Sequence, residues 1–229
     1  MKTLGLLGGM SWESTVPYYR FINEAVRSRL GGLHSAKILL ASVDFAEVET
    51  LMRADRWDEA GALLARFAAV LERAGADALL LCTNTLHKVA PAIERAVSIP
   101  LLHILDPTAE AVRRAGMSKV GLLATGFTME AAFYGDRLRQ HGIEVIIPAA
   151  EDRAQVHRII FEELCLGKVL DGSRRTYQHI INRLAARGAE GIILGCTEIM
   201  LLPIKPAPCR FLTQRRFTLS RRSIVRCGR

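Results

Sequence analysis

The stretch Gly75-Ala-Asp-Ala-Leu-Leu-Leu-Cys-Thr-Asn-Thr85 returns, little altered, as Gly188-Ala-Glu-Gly-Ile-Ile-Leu-Gly-Cys-Thr-Glu198. Each copy runs Gly-Ala-acid, then a short apolar run, then small polar residues. A short β-branched or Leu-rich run bounded by glycine and turn residues has the pattern of a strand buried in a parallel sheet. Gapless alignment sets Thr83 opposite Cys196, Asn84 opposite Thr197 and Thr85 opposite Glu198. Ligands of open α/β sheets bind outside the carboxyl ends of the strands. The chain therefore offers two equivalent strand ends, each carrying a hydroxyl or a thiol, an arrangement suited to two proton-transfer groups.

Outward from these copies, the same alternation continues. Residues 3–7 form an apolar run ending in Gly8-Gly9-Met10-Ser11-Trp12, followed by an amphipathic stretch to Leu30. Further strands are expected at 36–43 and 99–105, and helices at 46–53, 57–74 and 86–97. Asp106-Pro107-Thr108 reads as an N-cap with proline at the first helical position, opening a helix to Gly116. The order then restarts. Residues 119–123 with Ala124-Thr125-Gly126-Phe127-Thr128 echo the first strand and its loop. Helix 129–141, strand 143–147 and helices 152–166 and 173–187 lead to the second copy. An echo offset by 113 to 116 residues is too long for a solenoid and fits a duplicated α/β unit. The expectation is an α/β protein of two similar lobes, each a mostly parallel sheet flanked by helices. A pseudo-twofold axis would relate the lobes, with the active site between them. The lobes are assigned to 1–105 and 106–202, leaving 203–229 as an atypical basic tail.

Composition narrows the partners. The net charge of +8 would ordinarily suggest nucleic acid. Eight basic residues and no acid follow Ile199, however, so the first 198 residues are electrically neutral. Neither nucleic acid nor membrane is expected as a partner. No apolar run approaches a membrane span, and the glycine-broken start reads as a buried strand, so a cytoplasmic location is expected. The five cysteines lack CxxC pairing and His partners at metal spacing, which argues against a disulfide framework and against a metal. The loop at 8–12 spells neither GxGxxG nor a Walker motif. It reads either as a backbone-NH nest for a carboxylate or phosphate at a helix N-terminus or as a plain tight turn.

Among the candidate groups, Cys196 is the one that is intrinsically nucleophilic and tunable into a base near neutral pH. Its place at a strand end, inside a repeated motif, sets it apart from an ordinary core cysteine. His87 lies one turn beyond Thr83 and could approach the site from above.

The motifs Leu6-Leu-Gly-Gly-Met-Ser-Trp-Glu-Ser-Thr15, Cys82-Thr-Asn-Thr-Leu-His87 and Leu194-Gly-Cys-Thr-Glu-Ile199 together resemble the aspartate/glutamate racemase family. The likeness is greatest to enterobacterial-type amino-acid racemases with Thr in the first catalytic slot, and it covers residues 1–202. It implies a cofactor-independent, two-base racemisation of an amino acid, often by a homodimer. It implies Thr83 and Cys196 as the catalytic pair, with Met10, Ser11, Met52, Asn84, Thr85 and Thr197 around the substrate. Most such enzymes carry Cys in both slots. Here Cys82 sits one residue early, and neighbouring strand side chains point to opposite faces, so Thr83 and Cys82 compete for the first slot.

Two further departures bear on substrate. Met52 stands where close relatives commonly have Gln, and Cys165 stands where some archaeal-type members have Lys. Cys165 itself reads as a core residue on a helix face. Aspartate, glutamate or a neutral polar amino acid such as homoserine would fit. The alternatives are a maleate isomerase or decarboxylase of the same superfamily, and an inactive amino-acid-binding relic. Finally, the repeat calls for a helix, a strand and a final helix after Cys196, yet 203–229 turns into an Arg/Ser-rich segment. The favoured reading is a change of reading frame near Leu202 that leaves the second lobe without its last core elements. A solvated basic tail and a nucleic-acid or membrane-surface arm are the alternatives.

Overall fold

The computed structural model describes residues 1–202, 204 and 210–213, with backbone alone at Thr197 and 210–213. The chain divides into two units, one holding Met1–Ile104 and the other beginning at Leu105. The first contains β1 (Thr3–Gly8), α1 (Trp12–Leu30), β2 (Lys37–Ser42), α2 (Phe45–Arg53), α3 (Trp57–Arg73), β3 (Ala78–Leu81), a 3₁₀ turn (Thr85–Val89) and α4 (Ala90–Ala96). The second contains α5 (Leu105–Arg114), β4 (Lys119–Leu123), α6 (Gly126–Met129), α7 (Ala132–Gln140), β5 (Glu144–Ile146) and α8 (Ala150–Glu162). It continues with a 3₁₀ turn (Leu164–Leu166), α9 (Asp171–Ala186), β6 (Gly191–Leu194), a 3₁₀ turn (Thr197–Leu201) and β7 (Arg210–Thr213).

Each unit is a parallel sheet flanked by helices, ordered β2-β1-β3 in the first and β5-β4-β6-β7 in the second. The two strands of the opening repeat, β3 and β6, are buried along their whole length. Both are entered the same way. Gly75 (φ +95°) and Gly188 (φ +92°) end α3 and α9 in the left-handed conformation. The next N–H reaches back five residues, Ala76 to Leu71 and Ala189 to Leu184, the closing bond of a glycine-capped helix end. The acid then returns to the central strand. Asp77 accepts from the Thr3 N–H at 2.7 Å, and Glu190 from the Lys119 N–H at 2.9 Å. Those backbone donors hold both carboxyls below the usual carboxylate range. The Gly-Ala-acid signature is thus a helix stop followed by a strand clamp.

Packing is duplicated as well. A Cβ on Gly5 would lie 2.8 Å from Leu79 and 3.3 Å from Leu71, and one on Gly121 would lie 2.7 Å from Ile192 and 3.0 Å from Leu184. In both units the central strand lacks a side chain where a large residue of the buried strand and one of the preceding helix press in.

Several boundaries differ from expectation, each for a local reason. The strand expected at 99–105 contracts to a bridge between Leu79 and Leu101, because Pro100 has no N–H to donate and the chain enters α5 at Leu105. Asp106 is therefore inside the first turn rather than its cap, and its carboxylate forks onto Arg137 at 2.7 and 2.8 Å. The helix expected at 86–97 splits, since Pro91 cannot donate to the His87 carbonyl, and Ala90 bonds it in 3₁₀ fashion instead. The expected helix 129–141 divides into α6 and α7.

The largest correction concerns the strand thought to be missing after Cys196. Residues Arg210–Thr213 form β7, parallel to β6 in the register Gly191↔Arg210 to Leu194↔Thr213. β7 stands to β6 as the 100–102 segment stands to β3. The expected closing helix and the rest of 203–229, with the reading-frame question, lie outside the described residues.

Candidate active site

In the first unit, β1, β2 and β3 end together. Leu7 pairs with Leu81 and Gly8 with Ser42, so the loops that follow leave the same edge of the sheet. Met10, Ser11, Thr83, Asn84 and Thr85 all lie on that edge. The glycine loop is tightly tied. The Gly9 N–H donates to Thr15 Oγ1 at 2.9 Å, the Thr15 hydroxyl donates to the Ser11 carbonyl at 3.0 Å, and Ser11 Oγ caps α1 through the Ser14 N–H. The Gly9 N–H of the loop and the Ser14 N–H of the first helical turn are therefore spent on internal bonds. Gly9 has φ +92°, and a Cβ there would fall 2.3 Å from the Val43 carbonyl. Gly9→Ala is expected to lower stability by at least about 1–3 kcal/mol, read as a reduced urea midpoint.

Thr83, Asn84 and Thr85 are buried. Asn84 Oδ1 has no hydrogen-bond partner among the described residues. An unsatisfied buried polar atom costs about 1–3 kcal/mol, so this amide is an orphan that a ligand donor would relieve. Met52 is also buried, but it lies seven residues along α2, about 10 Å from the start of that helix. Met10, within the glycine loop, is buried.

The second unit repeats this edge. Gly195 donates its N–H to Leu123 at 2.8 Å just as Cys82 donates to Leu7 at 2.9 Å. Cys82 and Gly195 are thus equivalent positions, and so are Thr83 and Cys196. Cys82 is fully buried with its sulfur turned toward the Leu80 carbonyl, and burial pushes its thiol far up. The Gly195 position is equally enclosed, since a Cβ there would lie 3.0 Å from Ala124 and from Leu122.

Cys196 is partly accessible, and its thiol donates to Glu198 Oε2 at 2.9 Å. Burial raises this thiol well above its usual range, and the Glu198 charge, the hydrogen bond to it and nearby Cys165 act in the same direction. Glu198 is itself buried. Cys165 belongs to the 3₁₀ turn Leu164–Leu166, which packs on the turn after Cys196, rather than to a helix face as expected. Tyr177 completes this surround, its hydroxyl donating to the Val156 carbonyl at 3.4 Å. Glu163 accepts from Ser173 and from Arg158 at 3.1 Å. Sequence reasoning aligned Glu198 with Thr85 but gave it no role, although its place two residues after the thiol was the available signal. The Thr197 hydroxyl lies outside the described side chains.

Among the described residues no group of three or more His, Cys, Asp or Glu could hold a metal ion, and no helix is long and apolar enough to cross a membrane.

Two equivalent sheet edges, each presenting one hydroxyl or thiol in a Thr/Cys–polar–polar turn, make this an α/β protein built from two like units. Residues 7–208 match the model of the Asp/Glu/Hydantoin racemase family, and the chain belongs to it. It is 51% identical to a candidate Asp/Glu racemase from Yersinia pestis known as a crystal structure, covering 98% of both chains with a TM-score of 0.90. An aspartate racemase homologue from Pyrococcus horikoshii OT3 is 32% identical over the whole of both chains, with a TM-score of 0.83. The broad specificity amino-acid racemase RacX of Bacillus subtilis is 30% identical across 62% of this chain and 63% of its own length.

Proposed function

We propose that this protein is an amino-acid racemase that exchanges the Cα proton without a cofactor. In this reading Cys196, as thiolate, removes the Cα proton of the L-enantiomer and Thr83 delivers a proton to the opposite face. What chiefly supports it is the equivalence of Thr83 and Cys196, each one residue beyond the N–H, of Cys82 or Gly195, that closes its strand onto the central strand. The full burial of Cys82 favours Thr83 for the first slot. Asn84, in either orientation of its amide, would meet the substrate's ammonium or carboxylate. With the hydroxyls of Ser11, Thr85 and Thr197 it would hold the carboxylates and stabilise the enolate-like charge. A Thr hydroxyl is a poor base, so kcat and KM should differ between the enantiomers. The enantiomers have equal free energy, so kcat/KM must nonetheless be equal in the two directions. The substrate class is aspartate, glutamate or a neutral polar relative such as homoserine, because Met52 and Cys165 supply no charge to select an acidic side chain.

The test is incubation in D₂O with each enantiomer of aspartate, glutamate and homoserine, following Cα–H loss by NMR and chirality by chromatography. Exchange with inversion is the expected result. Absence of exchange with every amino acid would overturn the reading, and decarboxylation or double-bond isomerisation would replace it.

A further inference from the structure

We propose that His87 is a positioning residue whose neutral Nδ1–H tautomer fastens the strand end carrying Thr83 to Ile104, where the chain leaves the first unit. His87 is buried in the 3₁₀ turn Thr85–Val89. Its Nδ1 lies 2.8 Å from the Thr83 carbonyl oxygen, and the Ile104 N–H points at its Nε2 at 3.3 Å. A carbonyl can only accept and a backbone N–H can only donate, so Nδ1 must carry the proton and Nε2 must be bare. His87 also donates its own backbone N–H to the Asn84 carbonyl at 3.0 Å. One residue therefore grips the carbonyls of both Thr83 and Asn84.

The other end of the clamp continues an existing seam. Leu79 N–H bonds Pro100 O and Leu102 N–H bonds Leu79 O, so the 100–102 segment is laced to β3. The His87–Ile104 bond carries that lacing two residues further, past the end of β3, to the unit boundary. The titratable group facing the ring is His103, itself buried, with ring centroids 4.4 Å apart and planes at 61°. Lys88, next in the turn, is directed instead onto the Trp57 ring at 3.7 Å. An imidazolium could not accept from Ile104, so the arrangement demands a neutral ring. His87 is consequently no general base for the strand end. Both its nitrogens are committed to backbone groups, contrary to the approach from above that the sequence suggested.

The consequence for catalysis rests on the role proposed for Thr83, whereas the tautomer does not, and the experiment separates the two. Long-range ¹H–¹⁵N correlation on the full-length ¹⁵N-labelled protein should give the Nδ1–H pattern for His87 at neutral pH. His87→Asn keeps a donor near the Nδ1 position and loses the acceptor, while His87→Gln keeps an acceptor near the Nε2 position and loses the donor. Ile104 amide exchange should accelerate about tenfold in His87→Asn, the scale of one lost hydrogen bond, and stay near wild type in His87→Gln. Proton exchange on the substrate should follow the opposite order, with kcat falling most in His87→Gln and KM little changed. An Nε2–H or doubly protonated ring, or unchanged Ile104 exchange in His87→Asn, would overturn the proposal. Should either variant fail to fold, the wild-type tautomer alone decides. Should the wild type exchange no amino acid, the racemase reading falls and the clamp is still judged by its tautomer.

Discussion

Replacing Cys196 by alanine is expected to lower Cα–H exchange in D₂O by about 10²–10⁴-fold, the range carried by a positioned proton-transfer group. The fold should survive. Cys196 follows β6 in ordinary extended backbone (φ −135°, ψ 135°), and alanine is smaller and tolerates that conformation. Cys196→Ser is the sharper comparison, because it leaves a hydroxyl at both strand ends. A hydroxyl is too weak an acid to supply a resting base near neutral pH, so the serine variant should be nearly as slow as the alanine one. Exchange retained in Cys196→Ser would show that no thiolate is needed and would move the base elsewhere. Circular dichroism on both variants separates lost chemistry from lost structure.

The second large effect is expected at Glu198. The Cys196 thiol is raised first by burial and next by the Glu198 charge, with the hydrogen bond adding to it. Glu198→Gln removes the charge and keeps the side chain's size. A nearby like charge disfavours a second anion, so removing it makes the thiolate easier to form and the thiol pKa falls. If thiolate abstracts the proton, the rise of exchange rate with pH should move to lower pH by about 1–3 units. The thiolate so formed is a weaker base, so the plateau rate should fall as the midpoint moves. A midpoint unchanged or moved to higher pH would mean that Glu198 does not govern Cys196. Loss of exchange at every pH would instead make Glu198 the acceptor of the thiol proton.

How much of this was legible beforehand can be followed residue by residue. The Gly-Ala-acid repeat pointed to β3 and β6 because burial on both faces leaves a continuous apolar run, and their equivalence placed Thr83 opposite Cys196. The strand period of two already set Cys82 against Thr83, and the bond shared by Cys82 and Gly195 supplies the physical content of that difference. β7 was illegible because Arg-Phe-Leu-Thr is too short to show a period and is surrounded by basic residues. Its identity comes only from pairing with β6, a contact between residues distant in the chain. Glu198 went without a role because its place two residues after the thiol, though visible, does not by itself tell that the third side chain folds back onto the first. His87 was visible as a neighbour of Thr83 but misread, since only three-dimensional placement reveals that both ring nitrogens are engaged. Asn84 stood in a readable motif, yet its unsatisfied oxygen is a property of the packed turn.

The paired holes at Gly5 and Gly121 carry a consequence for how this sequence can change. In each half one missing side chain accommodates one protruding one, Leu79 on Gly5 and Ile192 on Gly121, so the two positions share a fixed volume. A methyl gained at residue 5 has to be made room for by Leu79, Ala76 or Leu71, and one gained at 121 by Ile192 or Leu184, through a shifted or a smaller side chain. Neither half can lend room to the other, because each pair packs inside its own unit. Drift at these sites is thus expected to proceed as two separate exchanges, each confined to its own copy of an inherited design.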